Sequence, residues 1–261
     1  MQPNLIGISG KTGSGKDTVG KIIQCLTANY PTENIVEILK GIGDYKLLPF
    51  SDETNWQIKK FAFKLKQIAS ILTGIPVEKF EDQDFKKKAL GREWCYPTEW
   101  QGREHWIEIT SREFLQKLGT EAMRDRLHTN VWINALFADY KPQDGLKGFV
   151  FTLKDGGKQF VESQLSYPSW IITDMRFPNE MEAVKERGGI TIRVNRKIKI
   201  GGDDYGYTYV DVKQAVKDGI MAAEHLSETA LDDAKFDYEI NNDGTIENLI
   251  TTIHKTLNHI I

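Results

Sequence analysis

The chain opens with a short apolar run, Leu5, Ile6 and Ile8, closed by a glycine-rich segment. Val19, Ile22, Ile23 and Leu26 then recur at i, i+3, i+4 and i+7. The first pattern predicts a buried parallel strand and the second a helix packed on a sheet. Residues 29–55 carry scattered Pro, Gly, Asn and Asp; they read as connection, with a weak strand over 35–39. A short strand near 58–61 runs into a helix with the apolar face Leu65, Ile68, Ala69 and Leu72, stopped by Gly74 and Pro76. Residues 78–109 are charged and aromatic without a clean period, as in an irregular insertion or a substrate-covering segment. From Thr110 the pattern is helical, with a cap-like Ser111 and a break at 118–120.

Two β-prone runs around Asp155, Gly156 and Gly157 predict a hairpin. Residues 170–173 then read as a buried strand with Asp174 at its C-terminal end. A helix over 178–187 is terminated by Gly188 and Gly189, and a strand follows over 190–194. Residues 195–235 are polar and lid-like, and a last strand, a turn over 241–244 and an amphipathic helix close the chain. Strands alternating with helices indicate a three-layer α/β fold with a mainly parallel sheet, in which ligands bind at the carboxyl ends of the strands. Both the glycine turn and Asp174 are expected there.

Length and charge narrow the picture. At 261 residues, one domain with insertions is the default. A net charge of -3, from 34 basic and 37 acidic residues, argues against bulk attraction to nucleic acid or membrane. Cys25 and Cys95 have no metal-site spacing and read as reduced thiols, Cys25 buried on its helix. No basic region precedes a long apolar run at the N-terminus, and no stretch approaches the roughly 18 apolar residues of a membrane span, so a cytoplasmic protein is expected.

The glycine-rich segment is where chemistry enters. Gly10, Gly15 and Lys16 satisfy the phosphate-loop pattern G-x-x-x-x-G-K. Such a loop needs small residues that turn backbone N–H groups inward around a phosphate. It also needs a helix N-terminus behind them and a lysine reaching the transferred group. Ser9, Gly10, Gly13, Ser14 and Gly15 supply the small residues and Lys16 the charge. Asp17 stands where the pattern has a serine or threonine that ligates Mg²⁺. An aspartate there would hold the metal directly or through water, or act only as a first-turn carboxylate, favoured by about 0.3–1 kcal/mol. Thr18, one position late, is another candidate for the metal. Asp174 has the position of a metal-binding or substrate-orienting acid, or of a strand-end cap. Arg176 would bind a phosphate bidentately, or pair with Glu180 or Glu182.

"SGKTGSGKDT", "SREFLQKLGTEAMR", "WIITDMRFPNE" with "RGGITIRV", "HLSET" and "FDYEINNDGTIENL" occur in the order found in phage-type deoxynucleoside monophosphate kinases. The chain resembles that family over nearly its whole length, excepting about 30–55, 78–109 and 142–168, and the Lys16-Asp17-Thr18 variant is itself a family feature. The resemblance implies transfer of the ATP γ-phosphoryl to a deoxynucleoside 5′-monophosphate, with Mg²⁺, on an adenylate-kinase-like P-loop fold. It implies a single kinase domain over 1–261, with an acceptor-binding region at about 57–140, a hairpin insertion at about 145–166 and a lid at about 195–235. Lys16, Lys11 and the loop would hold the donor phosphates. Lys66, Lys64, Arg112 and Arg124 would grip the acceptor phosphate, against the plainer reading of a solvated helix face. Arg193 and Arg196 would flank the lid, Asn241 and Gly244 would lie by the donor base, and His225 and Glu228 would belong to the lid or to a cap. Asp174 and Arg176 would act with Lys16 on the reacting groups, with Asp17 and Asp174 as metal candidates. A homodimer in a host cytoplasm follows from the same likeness. The aromatics Phe61, Phe63, Trp94, Trp100, Trp106 and Trp132 could stack on a base, though packing is their commoner fate. Two other readings remain: a P-loop kinase for another phosphorylated acceptor such as dephospho-coenzyme A, and a non-catalytic nucleotide sensor.

Overall fold

The structure, a computed structural model, describes residues 4–41, 56–82, 84–100, 103–142, 150–152, 158–160, 167–200, 208–210 and 229–260. The expected lid lies largely outside these residues, as do His225 and Glu228. The chain divides into two compact units, Met1–Lys60 with Tyr140–Ile261, and Phe61–Asp139.

The first unit begins with strand β1 (Leu5–Gly10), whose run is buried up to its last residue. Helix α1 (Lys16–Thr27) follows and buries Val19, Ile22, Ile23 and Cys25, the stripe its spacing predicts. A second helix, α2 (Thr32–Lys40), occupies the place where a weak strand was expected. Pro31 opens it and Gly41, at φ 66°, closes it, while Ile35 packs into the core beside Val36, Ile38 and Leu39. Four apolar residues within five positions cannot distinguish helix from strand by period alone. Strand β2 (Trp56–Lys59) precedes the second unit and lies about two residues before its expected place.

In the second unit, helix α3 (Ala62–Thr73) buries Lys66 and Ala69, but Leu72 is half exposed and does not belong to a buried face. Residues 77–94 form three short 3₁₀ turns, and strands β3 (Tyr96–Trp100) and β4 (Arg103–Ile107) pair antiparallel, giving order to a segment whose sequence shows no period. Helix α4 (Ser111–Gln116) is capped by Thr110, not Ser111. Glu113 N–H donates to the Thr110 hydroxyl, and Thr110 N–H donates to the Glu113 carboxylate. No break occurs at Gly119: the helix continues as a wider π-helical stretch, Lys117–Leu127. The Gly119 carbonyl accepts the Trp132 indole N–H at 2.9 Å, with helix α5 (Val131–Phe137) carrying the tryptophan. Phe61 and Trp132 are buried, and Trp94 packs edge-on against Phe114 at 4.8 Å, whereas Phe63 and Trp106 are exposed.

The chain returns to the first unit through an antiparallel pair, β5 (Val150–Thr152) and β6 (Lys158–Phe160). Strand β7 (Ser169–Ile172), helix α6 (Pro178–Lys185) and strand β8 (Ile190–Asn195) follow, then a short pair β9 (Ile198–Ile200) and β10 (Thr208–Val210). Strand β11 (Tyr238–Asn241) and helix α7 (Ile246–Leu257) end the fold. Five strands form one parallel sheet in the order β11-β8-β1-β7-β2. Ile6 and Ile8 point to one face, where they pack with α1 and α7. The opposite face receives α6, because a side chain on Gly7 would meet Met175 and Val184. The unit is therefore a three-layer α/β sandwich around a parallel sheet.

Candidate active site at the strand ends of the first unit

All five parallel strands present their carboxyl ends on one edge, which collects Gly10, Lys60, Thr173, Asp174, Asn195, Arg196 and Asn242. The loop after β1 turns through Gly13 at φ 80° and Gly15 at φ 91°, a region side chains rarely adopt. Gly15 precedes the first residue of α1, so the helix starts within the loop. The loop is tight: Ser14 N–H donates to the Lys11 carbonyl at 3.1 Å, and Lys16 Nζ donates to the same carbonyl at 3.4 Å. Lys16 is 8% exposed, an uncommon burial for an ammonium. The Ser14 hydroxyl is buried without a hydrogen-bond partner.

Asn242, which sequence reasoning passed over in favour of its neighbour Asn241, reaches this loop. Its Nδ2 donates to the Ser14 carbonyl at 2.9 Å, and its backbone N–H donates to the Asn195 carbonyl at 2.8 Å. Asn241 lies in β11 opposite Asn195, and Gly244 precedes the Thr245 cap of α7. The only advance sign of Asn242 was its place in the Asn-Asn-Asp-Gly turn.

Asp17 lies in the first turn of α1 with its side chain 56% exposed. The Thr173 hydroxyl donates to Asp17 Oδ1 at 2.7 Å, and Lys60 Nζ stands 3.1 Å from the same oxygen. Partial burial pushes the Asp17 carboxyl up, but the Thr173 hydroxyl and the Lys60 ammonium outweigh it and hold it below the ordinary carboxylate range. A side chain on Gly20 would clash with Thr173 Cγ2 at 2.5 Å, so the absence of one lets α1 approach β7 closely enough for this bond. Thr173, Lys60 and Gly20 were all missed in the sequence, because their roles depend on this crossing.

Asp174 and Arg176 follow β7, both half-buried. The N-terminus of α6 is satisfied from within: Glu180 accepts the N–H groups of Arg176 at 2.7 Å and Phe177 at 3.0 Å. Phe177 stands at the N-cap position of that helix.

A cleft of about 130 Å³ opens beside the loop, lined by Lys11, Arg193, Asn195, Arg196, Asp232 and Phe236 among others. Arg193 stands opposite Ser9 in the β1–β8 register, and its Nη1 donates to Ser9 Oγ at 3.1 Å. Its guanidinium also lies 5.7 Å from the Phe236 ring. Arg196 Nη1 points to the Gly13 carbonyl at 3.5 Å. Asp232 accepts from Arg193 Nη2 at 2.8 Å and from Lys11 Nζ at 3.0 Å. No sequence signal singled out Asp232.

The other basic candidates belong to the second unit and are described within it. Lys66 is buried and ion-paired with Glu81, and Lys64 pairs with Asp139 at 2.9 Å. Arg112 is exposed in the first turn of α4, and Arg124 is half-buried. Among the described residues no group of three or more His, Cys, Asp or Glu could hold a metal by itself, and no helix is long and apolar enough to cross a membrane.

No protein-family model matches the chain. It is similar to the deoxynucleoside-5′-monophosphate kinase of Escherichia phage T5, with 23% identity over 260 residues, 91% of this chain and 89% of that protein. A relationship at that identity, spread over nearly both chains and joined to a parallel α/β sheet with a glycine loop at its edge, supports a nucleotide-kinase relationship for this protein.

Proposed function

We propose that this protein transfers the γ-phosphoryl group of ATP to a deoxynucleoside 5′-monophosphate. The observation that carries the reading is the loop over residues 10–16, which closes on the N-terminus of α1. It buries Ser14 Oγ without a partner and Lys16 with little exposure, at the edge where all five strands end. A phosphate would satisfy the loop's N–H groups, the Ser14 hydroxyl and the Lys16 ammonium together. The whole-chain likeness to a deoxynucleoside monophosphate kinase supports the choice of acceptor.

Phosphoryl transfer asks the protein to align the attacking and leaving oxygens and to neutralise charge on the moving group. Lys16, with the loop over Gly10, Lys11, Gly13, Ser14 and Gly15, would hold the donor phosphates. Arg193 and Arg196 would add positive charge on the cleft side. Asp174 and Arg176 would orient the reacting groups, and Lys66, Arg112 and Arg124 would bind the acceptor phosphate. Asn241 and Gly244 would line the donor base. The donor set suits Mg²⁺, which binds through one or two carboxylates and keeps waters and phosphate oxygens as its other ligands. Asp17 and Asp174 are the carboxylates that would hold it, with Thr18 adjacent, and when bound it would neutralise charge on the donor phosphates. The Thr173 hydroxyl and the Lys60 ammonium, which keep Asp17 ionised, support that reading.

The test is a coupled assay of ADP release over the four deoxynucleoside monophosphates, with dephospho-coenzyme A as a competing acceptor. Turnover with one or more of the nucleotides is expected. Turnover with dephospho-coenzyme A alone would replace the acceptor, and ATP binding without any acceptor-dependent turnover would leave a sensor.

A further inference from the structure

The cations flanking the loop already hold an anion from the protein itself. Asp232 binds Lys11 Nζ at 3.0 Å through one carboxylate oxygen and Arg193 Nη2 at 2.8 Å through the other. The three side chains are 10–14% exposed, so this is a largely desolvated charge cluster. Lys11 lies in the loop between Gly10 and Gly15, and Arg193 is fixed from two other sides by Ser9 and Phe236. All three charged groups line the cleft beside the loop. A carboxylate bridging two cations resembles one edge of a phosphate: two oxygens, a negative charge and the same donors.

We infer that Asp232 is a specificity-determining internal anion, which occupies the Lys11 and Arg193 cations until a polyphosphate displaces it. An anion with a single phosphate group offers those cations little more than the carboxylate does. A triphosphate makes further contacts along the loop at the same time and outcompetes it. The cost of displacing Asp232 is common to both ligands, so it sets an affinity threshold that a triphosphate, with its further contacts, passes and a single phosphate does not. The inference rests on the phosphate-binding reading of the loop and adds selectivity for the charge and length of the donor.

Asp232→Asn keeps the shape of the side chain and removes its charge. Glu33→Gln, exposed on α2, is the control for loss of one negative charge. Isothermal titration of each folded protein with orthophosphate and tripolyphosphate, at one ionic strength, reads the effect without catalysis. Two ion pairs of ordinary strength correspond to about a tenfold change in affinity. Asp232→Asn is therefore expected to bind orthophosphate and tripolyphosphate each about tenfold tighter, while Glu33→Gln matches the wild type. Orthophosphate affinity that is unchanged or weaker in Asp232→Asn, with tripolyphosphate still bound, overturns the inference and leaves the loop's assignment intact. Tripolyphosphate bound by none of the proteins overturns both. Asp232→Ser, with the same expectation, replaces Asp232→Asn if the amide does not fold.

Discussion

Replacing Thr173 by Val tests the contact that orients Asp17. Thr173 is fully buried, and valine fills nearly the same volume, so packing against Gly20 changes little. What is lost is the hydroxyl that donates to Asp17 Oδ1 at 2.7 Å. A hydrogen bond to a charged group contributes about 1.5–3 kcal/mol when both partners are shielded. Asp17 is 56% exposed, and water can replace part of the bond, which brings the expected cost down to about 1 kcal/mol. In a chain of this size that lowers the melting temperature by about 2–4 °C. The decisive form is a double-mutant cycle in urea with Thr173→Val, Asp17→Asn and the pair. A coupling energy of about 1 kcal/mol is expected, together with a rise of the Asp17 titration towards the ordinary carboxylate range. The sign follows from linkage. A carboxyl depressed in the folded state adds stability that is present above its unfolded pKa and lost as pH falls through its folded pKa, so Thr173→Val costs less in acid than at neutral pH. Additive effects within about 0.3 kcal/mol, with an unmoved Asp17 titration, would mean that the Thr173 hydroxyl does not hold Asp17.

Other outcomes follow from the same geometry. Asn242→Ala removes the tie to the Ser14 carbonyl and is expected to raise the Michaelis constant for ATP several-fold at little cost in folding; an unchanged constant would place Asn242 outside the loop's support. Burial holds the Cys25 thiol up at about 11, so native-state modification by a thiol reagent at pH 8 is expected to label Cys95 first, with Cys25 following only on unfolding. Asp17→Asn is expected to raise the Mg²⁺ concentration for half-maximal rate, and an unchanged requirement would reduce Asp17 to a helix-start charge. Ile22→Ala, at a site with no exposure between sheet and helices, is expected to destabilise by about 2–5 kcal/mol in urea titrations.

The parts legible in the sequence are those set by neighbours in the chain. The run ending at Gly10, the stripe from Val19 to Leu26 and the stop at Gly188 each carry a local period or backbone requirement, and each forms the expected element. The α2 helix is not legible, because four apolar residues between Pro31 and Gly41 suit either structure and only the burial of Ile35 in the core distinguishes them. Ser111 and Thr110 are chemically alike as caps, and only the reciprocal bonds with Glu113 separate them. The rest of the candidate site depends on contacts between distant positions. Thr173 and Asp17 are 156 residues apart, and Asp232 and Lys11 are 221 apart. Charge pairing over such separations leaves no periodicity, so Asp232 and Lys60 emerge only once the sheet aligns its strand ends.

Transfer of labelled γ-phosphate from ATP to deoxynucleoside monophosphates, by wild type and Lys16→Ala side by side, decides whether the loop serves phosphoryl transfer to a nucleotide. Labelled deoxynucleoside diphosphate is expected from the wild type, with loss of at least about two orders of magnitude in rate when the loop lysine is removed. Wild-type protein that folds and binds ATP, yet labels none of the four nucleotides, would contradict that role.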